Sequence, residues 1–235
     1  MKIKWVRLTF ASALVLSAGL VASCGGGGGG GGQSAGPEAP AAPVFDVQAA
    51  VSAMFEKAAK FELTDSLSAD QTGGQGALEF HETDTFIPGA PADPLIGDFL
   101  ATELKRTTWS TTVPVPQTSS ETYYYTVNPI RLAARTRDNF LVRYTLKGDL
   151  PSGALVGQSG QFLTGTEGQP PETEDVFWRV EASDVPETAW VCLNFVRIRA
   201  HKGQCVRVAA SNGAILGGRV VTQFGGPLGL PLDLR

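Results

Sequence analysis

Histidine is scarce in this chain, with two residues, His81 and His201, among 235. Imidazole is the group most often recruited to activate a nucleophile or ligate a transition metal, so the shortage narrows the chemistry available. A basic excess is also missing. Lys and Arg total 19 against 23 Asp and Glu, a net charge of -4, which argues against a general nucleic-acid binder because such a domain would be basic. Near the start, Leu8 to Val21 is mostly apolar but only about fourteen residues long, short of the roughly twenty that a transmembrane helix needs.

What is there begins with the targeting segment. Met1 to Arg7 carries Lys2, Lys4 and Arg7 and no acid, the apolar stretch follows, and Leu20-Val21-Ala22-Ser23-Cys24 puts an aliphatic residue three before a cysteine with small residues between. This run resembles the lipobox of bacterial lipoproteins. The resemblance covers the N-terminal segment alone and implies cleavage before Cys24, a thioether-linked diacylglycerol on its sulfur and acylation of the new terminus with palmitate or a similar chain. Several acyl chains hold a protein on a membrane where a single one binds marginally. Gly25 rather than Asp follows the cysteine, which under the sorting rule of that class favours the outer membrane facing the periplasm. Without residues 1–23 the chain keeps 16 basic and 23 acidic residues, a net charge near -7.

Residues 24–43 read as a tether. Gly25 to Gly32 is an unbroken glycine run, and Gln33 to Pro43 continues with Ser, Ala and three prolines. Neither piece can bury enough apolar surface to offset its ordering entropy. As a coil it would reach roughly 25 Å on average. A glycine run can also suggest a phosphate-binding loop, but the preceding strand, following helix and Lys-Ser/Thr pair are missing.

Residues 44–235 read as one β-rich domain. Asp46 is placed to cap a helix in which Val47, Val51, Met54, Phe55 and Ala58 share a face. Beyond Lys60 the period falls to two. Strands are expected at Phe61 to Leu67, Ala77 to Phe86, Phe99 to Val113, Thr122 to Val127, Ile130 to Thr136, Leu141 to Lys147, Ala154 to Leu163, Asp175 to Glu181, Ala189 to Arg199, Gln204 to Ala210 and Ala214 to Phe224. Turn signals at Asp70 to Gly74, Asn128-Pro129, Asp138-Asn139, Pro151-Ser-Gly153, His201-Lys-Gly203 and Asn212-Gly213 separate them. The tail from Gly225 to Arg235 reads as irregular. The fold class is mostly β: an antiparallel curved sheet, sandwich or partly closed barrel with one N-terminal helix.

The candidate chemistry is thin. His81-Glu82-Thr83-Asp84 looks like a metal cluster, but on a strand Glu82 and Asp84 share a face that His81 does not, which favours plain strand positions. His201 falls in an expected surface turn. Gly157-Gln-Ser-Gly160 departs from a nucleophile elbow because Gln161 holds the last position, and the elbow needs an α/β sheet, so Ser159 is not expected to act. Tyr123, Tyr124 and Tyr125, with Trp109, Trp178 and Trp190, could serve as a sugar platform. Alternation splits the three tyrosines between faces, and core packing fits better.

Once Cys24 is acylated, Cys192 and Cys205 remain, an even pair in an oxidising compartment, and a disulfide is expected. The simplest hairpin, with His201-Lys-Gly203 as its loop, keeps them far apart, so a bulge or bend near Phe195 is expected to bring them together. A second expectation concerns Ile130 to Lys147. A three-residue connection at Asp138-Asn-Phe140 places Thr136 opposite Val142 and Ala134 opposite Tyr144, gathering Arg131, Arg135, Arg137, Arg143 and Lys147 on the other face. Such a face is ordinary solvated surface or a contact for anionic headgroups or an acidic protein.

Together these readings point to a membrane-anchored envelope lipoprotein, a non-catalytic binding or structural module with no cofactor, no metal and no nucleic-acid partner. Its partners would be the membrane, through the anchor, and an envelope protein or anionic headgroups. The alternative is a carrier or sensor for an apolar ligand such as a lipid, with the sheet and helix enclosing a cavity.

Overall fold

The computed structural model describes residues 42–235 apart from 73, 75, 92, 94–95, 138–139, 168–170, 199 and 224–231. The signal segment, Cys24, most of the tether and the turn at Asp138-Asn139 lie outside the described residues.

Helix α1 spans Val47–Glu56. Asp46 caps it, its carboxylate accepting from Ala49 N–H at 2.8 Å, a bond worth about 1 kcal/mol. Two further N–H groups of the first turn, those of Val47 and Gln48, donate to the Pro151 carbonyl. At the other end the Thr102 and Tyr125 hydroxyls donate to the Phe55 carbonyl. Both ends of the helix are thus satisfied by the sheet and its loops. Val47, Val51, Met54 and Phe55 are fully buried, the stripe that the apolar spacing predicts. Ala58 lies beyond the helix.

Twelve antiparallel strands follow in a meander, each paired with its sequence neighbours. They are β1 Ala59–Leu67, β2 Leu78–Pro88, β3 Leu100–Ser110, β4 Gln117–Thr126, β5 Arg131–Arg137, β6 Phe140–Leu146, β7 Ser159–Glu167, β8 Glu172–Ala182, β9 Thr188–Arg197, β10 Ala200–Ala209, β11 Ile215–Gln223 and β12 Leu232–Leu234. The sheet curls nearly into a barrel. Its ends meet where Thr64 of β1 and Arg235, just past β12, exchange both backbone hydrogen bonds. The tail expected to be irregular therefore supplies the strand that links the two edges.

The main core joins α1 to the inward side chains of the strands. Phe55 packs against Phe86, Tyr123 and Tyr125 with ring centroids 5.1 to 6.4 Å apart. Alternation explains the burial: Tyr123 and Tyr125 point inward, while Tyr124 packs outside with Ile96, Ala101 and Ala134. Two inward glycines let neighbours approach. A Cβ on Gly165 would sit 2.9 Å from the Tyr144 ring, and one on Gly218 would collide with the Phe61 ring, which leans across from β1.

Two register expectations are corrected. His201-Lys-Gly203 is not a loop: β10 begins at Ala200, and Cys192 pairs directly with Cys205 with no bulge near Phe195. In the β5–β6 hairpin the pairing is Arg137 with Phe140, Thr136 with Leu141, Arg135 with Val142 and Ala134 with Arg143. That is one residue off the expected register, which changes which side chains share a face.

Candidate functional site

The shifted register disperses the expected basic face. Arg135 turns inward and is buried, donating to Glu121 and to Glu174 at 2.8 Å. Arg137 is half-buried, while Arg131 and Arg143 stay exposed, Arg131 lying 3.6 Å from Asp149. Lys147 lies beyond β6, exposed, its N–H bonded to the Phe162 carbonyl. The five residues do not form one surface.

His81 stands on the outer face of β2, stacked on Trp109 of β3 with centroids 3.7 Å apart. Glu82 and Asp84 divide from it as alternation requires, with Asp84 and Glu82 buried inside. Ser159 is exposed at the start of β7. His201 lies on β10, its Nε2 3.3 Å from Asn194 Oδ1. Cys192 and Cys205 are joined by a disulfide on the outer face beside buried Trp190. The Arg207 and Arg219 guanidiniums lie 5.5 and 5.9 Å from the Trp190 ring.

Inside the barrel is a feature that the linear reading missed. Arg106 on β3 holds Glu82 at 2.6 Å, Asp84 in a two-pronged contact at 2.9 and 3.0 Å, and Glu121 at 3.2 Å. Glu121 leads to Arg135, Arg135 to Glu174, and Glu174 to Arg197 at 2.6 Å and to the Tyr144 hydroxyl at 2.6 Å. Lys202 of β10 reaches Glu82 of β2 at 3.7 Å. The ring thus ties β10 to β2 behind the strands where the sheet ends meet. Its signal was phase: Leu78, Phe80, Glu82, Asp84 and Phe86 fall on one alternating set, yet charged strand positions are ordinarily solvent-facing.

The ring sets its own ionisation. Burial pushes the Asp84 carboxyl up, against the pull of Arg106 and with the nearby Glu82 charge adding to it, to about 6. Burial opposes the charge of Glu121 as well, but Arg135 and Arg106 outweigh it and hold the carboxyl near 2. Lys202 is lowered by burial and by the Arg106 charge. Removing one partner from such a ring leaves an uncompensated buried charge, so its members act together.

The outer surface offers a different kind of place. Between Ala59 to Leu63 of β1 and Ile215 to Gly218 of β11 lies an open groove of about 800 Å³, lined also by Lys57, Trp190, Arg207 and Arg235. Among the described residues no backbone hydrogen bond joins these two stretches. Their edge groups can be assigned. Thr64 spends its N–H and C=O on Arg235, and in an antiparallel pairing alternate residues bond to alternate sides, so Lys60 and Glu62 aim theirs into the groove. The Arg235 and Asp233 N–H groups face β1, toward Thr64 and Asp65, leaving Leu234 to bond Val220 in its register pair. By the same alternation Gly218 aims into the groove from β11.

The fold defines a twelve-stranded antiparallel meander with an internal ion ring and one open seam. The chain matches no family model, no curated protein and no solved structure.

Proposed function

We propose that this chain is a lipid-anchored envelope protein, attached through Cys24 and probing its surroundings with a non-catalytic binding domain whose contact surface is the open seam between β1 and β11. The observation that carries the binding role is the groove itself: two strand edges, separated by their lack of a ladder, present unspent backbone groups to solvent. Exposed strand edges are templates for pairing unless they are covered. An interior ligand, the alternative considered from the sequence, would have to displace α1 and the aromatic side chains packed on it or enter a ring whose charges already hold one another. That favours an external partner over a lipid cargo. The tether fits the role, since Gly and Pro-rich sequence lets a domain stand clear of headgroups.

The test uses intact cells. A photocrosslinking residue at exposed Leu216, in the groove, is compared with one at exposed Phe140 on β6, alongside palmitate labelling of wild type and Cys24→Ser. The reading expects labelling that depends on Cys24 and an adduct with one protein from Leu216 that Phe140 does not give. Labelling that survives Cys24→Ser, or identical adducts from both positions, contradicts it.

A further inference from the structure

The hairpin between β3 and β4 carries a tip of its own character. From Thr107 to Ser120 there is no ionisable side chain, and the two charges that flank this stretch, Arg106 and Glu121, are buried in the ring. At the tip Val113 is 45% and Val115 66% exposed, with exposed Pro114 and Pro116 beside them. Exposure alone does not single it out: Ile198 is more exposed, at 86%, but stands between Arg197 and Arg199. The backbone of the tip is also largely spent. Ser110 and Val113 exchange both main-chain hydrogen bonds, and the Thr111 N–H donates to the Glu79 carbonyl. Pro114 and Pro116 have no N–H, and the Gln117 side-chain amide donates to the Val115 carbonyl at 3.3 Å. Among residues 110–116 this leaves the N–H groups of Thr112 and Val115. The Ser110 hydroxyl bonds that of Thr112 and accepts from the Val113 N–H, and the Thr111 hydroxyl accepts from the Glu79 N–H. At the base of the hairpin Trp109 stacks on His81 and is 38% exposed, with Glu79 3.8 Å from the His81 ring nitrogen.

We infer that the tip of the β3–β4 hairpin, Thr111 to Pro116, seats in the surface of a lipid bilayer, with Val113 and Val115 at the acyl boundary and Trp109, His81 and Glu79 at headgroup level. A protein partner could be met equally well by a tip with charges and open main-chain groups. A bilayer could not, because its apolar region offers no partner to an unspent backbone group and penalises a charge. The tip meets both conditions, and tryptophan is the side chain that favours the headgroup region. This contact is additional to the seam and does not depend on it. A bilayer is also within reach. Residues 24–43, if extended, span up to about 65 Å, whereas the eleven residues of β3 cover about 35 Å. The tether is therefore long enough to bring this tip to a surface that holds Cys24.

The probe protein runs from Cys24 to Arg235. Cys192 and Cys205 are bonded to each other, so Cys24 is its free thiol. Coupling that thiol to a maleimide headgroup in phosphatidylcholine vesicles places the domain at a membrane whether or not cells acylate the residue. The tryptophans of this chain are Trp109, Trp178 and Trp190, and Trp190 is buried. Vesicles with brominated acyl chains are expected to quench tryptophan emission relative to unbrominated ones, and Trp109→Phe is expected to remove that quenching. Val113→Asp with Val115→Asp is expected to reduce it about fivefold or more at an unchanged unfolding temperature, since both side chains are exposed. Val113→Leu with Val115→Leu is expected to keep it, and added salt to leave it unchanged, because no charge pair makes the contact. No quenching of the wild type, quenching that survives Trp109→Phe or the Asp pair, loss in the Leu pair, or loss in salt overturns the inference. So does a protein adduct from a photocrosslinker at Val115 in cells when the vesicles give no quenching, which assigns the tip to a protein. The Leu216 adduct reads the seam alone, so either contact can fail without the other.

Discussion

The junction between β9 and β10 and the junction between β1 and β11 are the two extremes of this barrel. The first is laddered from Ala200 to Ala209 without interruption, crossed by the Cys192–Cys205 bond and backed on its outer face by Trp190. The second has no ladder over residues 59–63 and is held by three-residue β12, by Phe61 leaning on Gly218, and by Lys202 reaching Glu82 behind it. A barrel can leave one seam open when its interior binds the walls across that seam. Here the ion ring supplies that tie, so closure by backbone pairing is not required and the free edges remain for other use.

The largest way to break the contrast is to cut the ring. Glu121→Gln removes the charge shared by Arg106 and Arg135 and should destabilise the domain by about 3–5 kcal/mol. Thermal unfolding should then shift by roughly 10 °C. The Cys192→Ser, Cys205→Ser double variant loosens the well-laddered junction. With the cysteines 13 positions apart in sequence, chain-entropy arguments put its cost at about 2–3 kcal/mol.

A smaller effect comes from pH. The Asp84 carboxyl lies above its unfolded value of 3.8, at about 6, so the folded state holds that proton more tightly. Its contribution to stability is complete below the unfolded value and declines as pH rises through 6. Between pH 5 and 7 this should cost on the order of 1 kcal/mol, a slope that Asp84→Asn abolishes. Glu121 acts in the opposite sense. Its folded value near 2 gives stability that is present above the unfolded carboxylate range and lost as pH falls toward 2, and this acid limb should survive in Asp84→Asn. Denaturant melts across pH separate the two limbs. The smallest effect belongs to the seam: Lys60→Pro should change stability by under about 1 kcal/mol, since it interrupts no ladder bond to β2.

Much of the fold was legible in local pattern. The Asp46 cap, the α1 stripe, most strands and the division of His81 from Glu82 and Asp84 follow from period and capping, while the pairing of the two cysteines followed from their even count and not from the strand pattern. Register was not legible, because it depends on connection length, and an error of one residue reverses faces. The one-residue shift against β6 sets Arg135 opposite Val142, and a bulge in β5 opposite Tyr124 and Tyr125 turns Arg131 to the other face, so strict alternation groups Arg135 with Arg131 on a surface when it belongs to the ring. Lys202 misled for a related reason: a lysine and a glycine between His201 and Gln204 read as a turn, whereas the lysine is an inward strand residue serving Glu82. The groove had no linear signal. It arises where β1, β11 and β12, distant in sequence, fail to complete one lane, and β12 itself is three residues in a Gly and Pro-rich tail.

Amide hydrogen exchange along β1 in the free domain tests the open seam most directly. Phe61 and Leu63 bond to β2, while Lys60 and Glu62 face the groove, so protection should alternate. Lys60 and Glu62 should exchange about a hundredfold or more faster than Phe61 and Leu63. Uniform protection across these four amides would show the lane already closed and contradict the account.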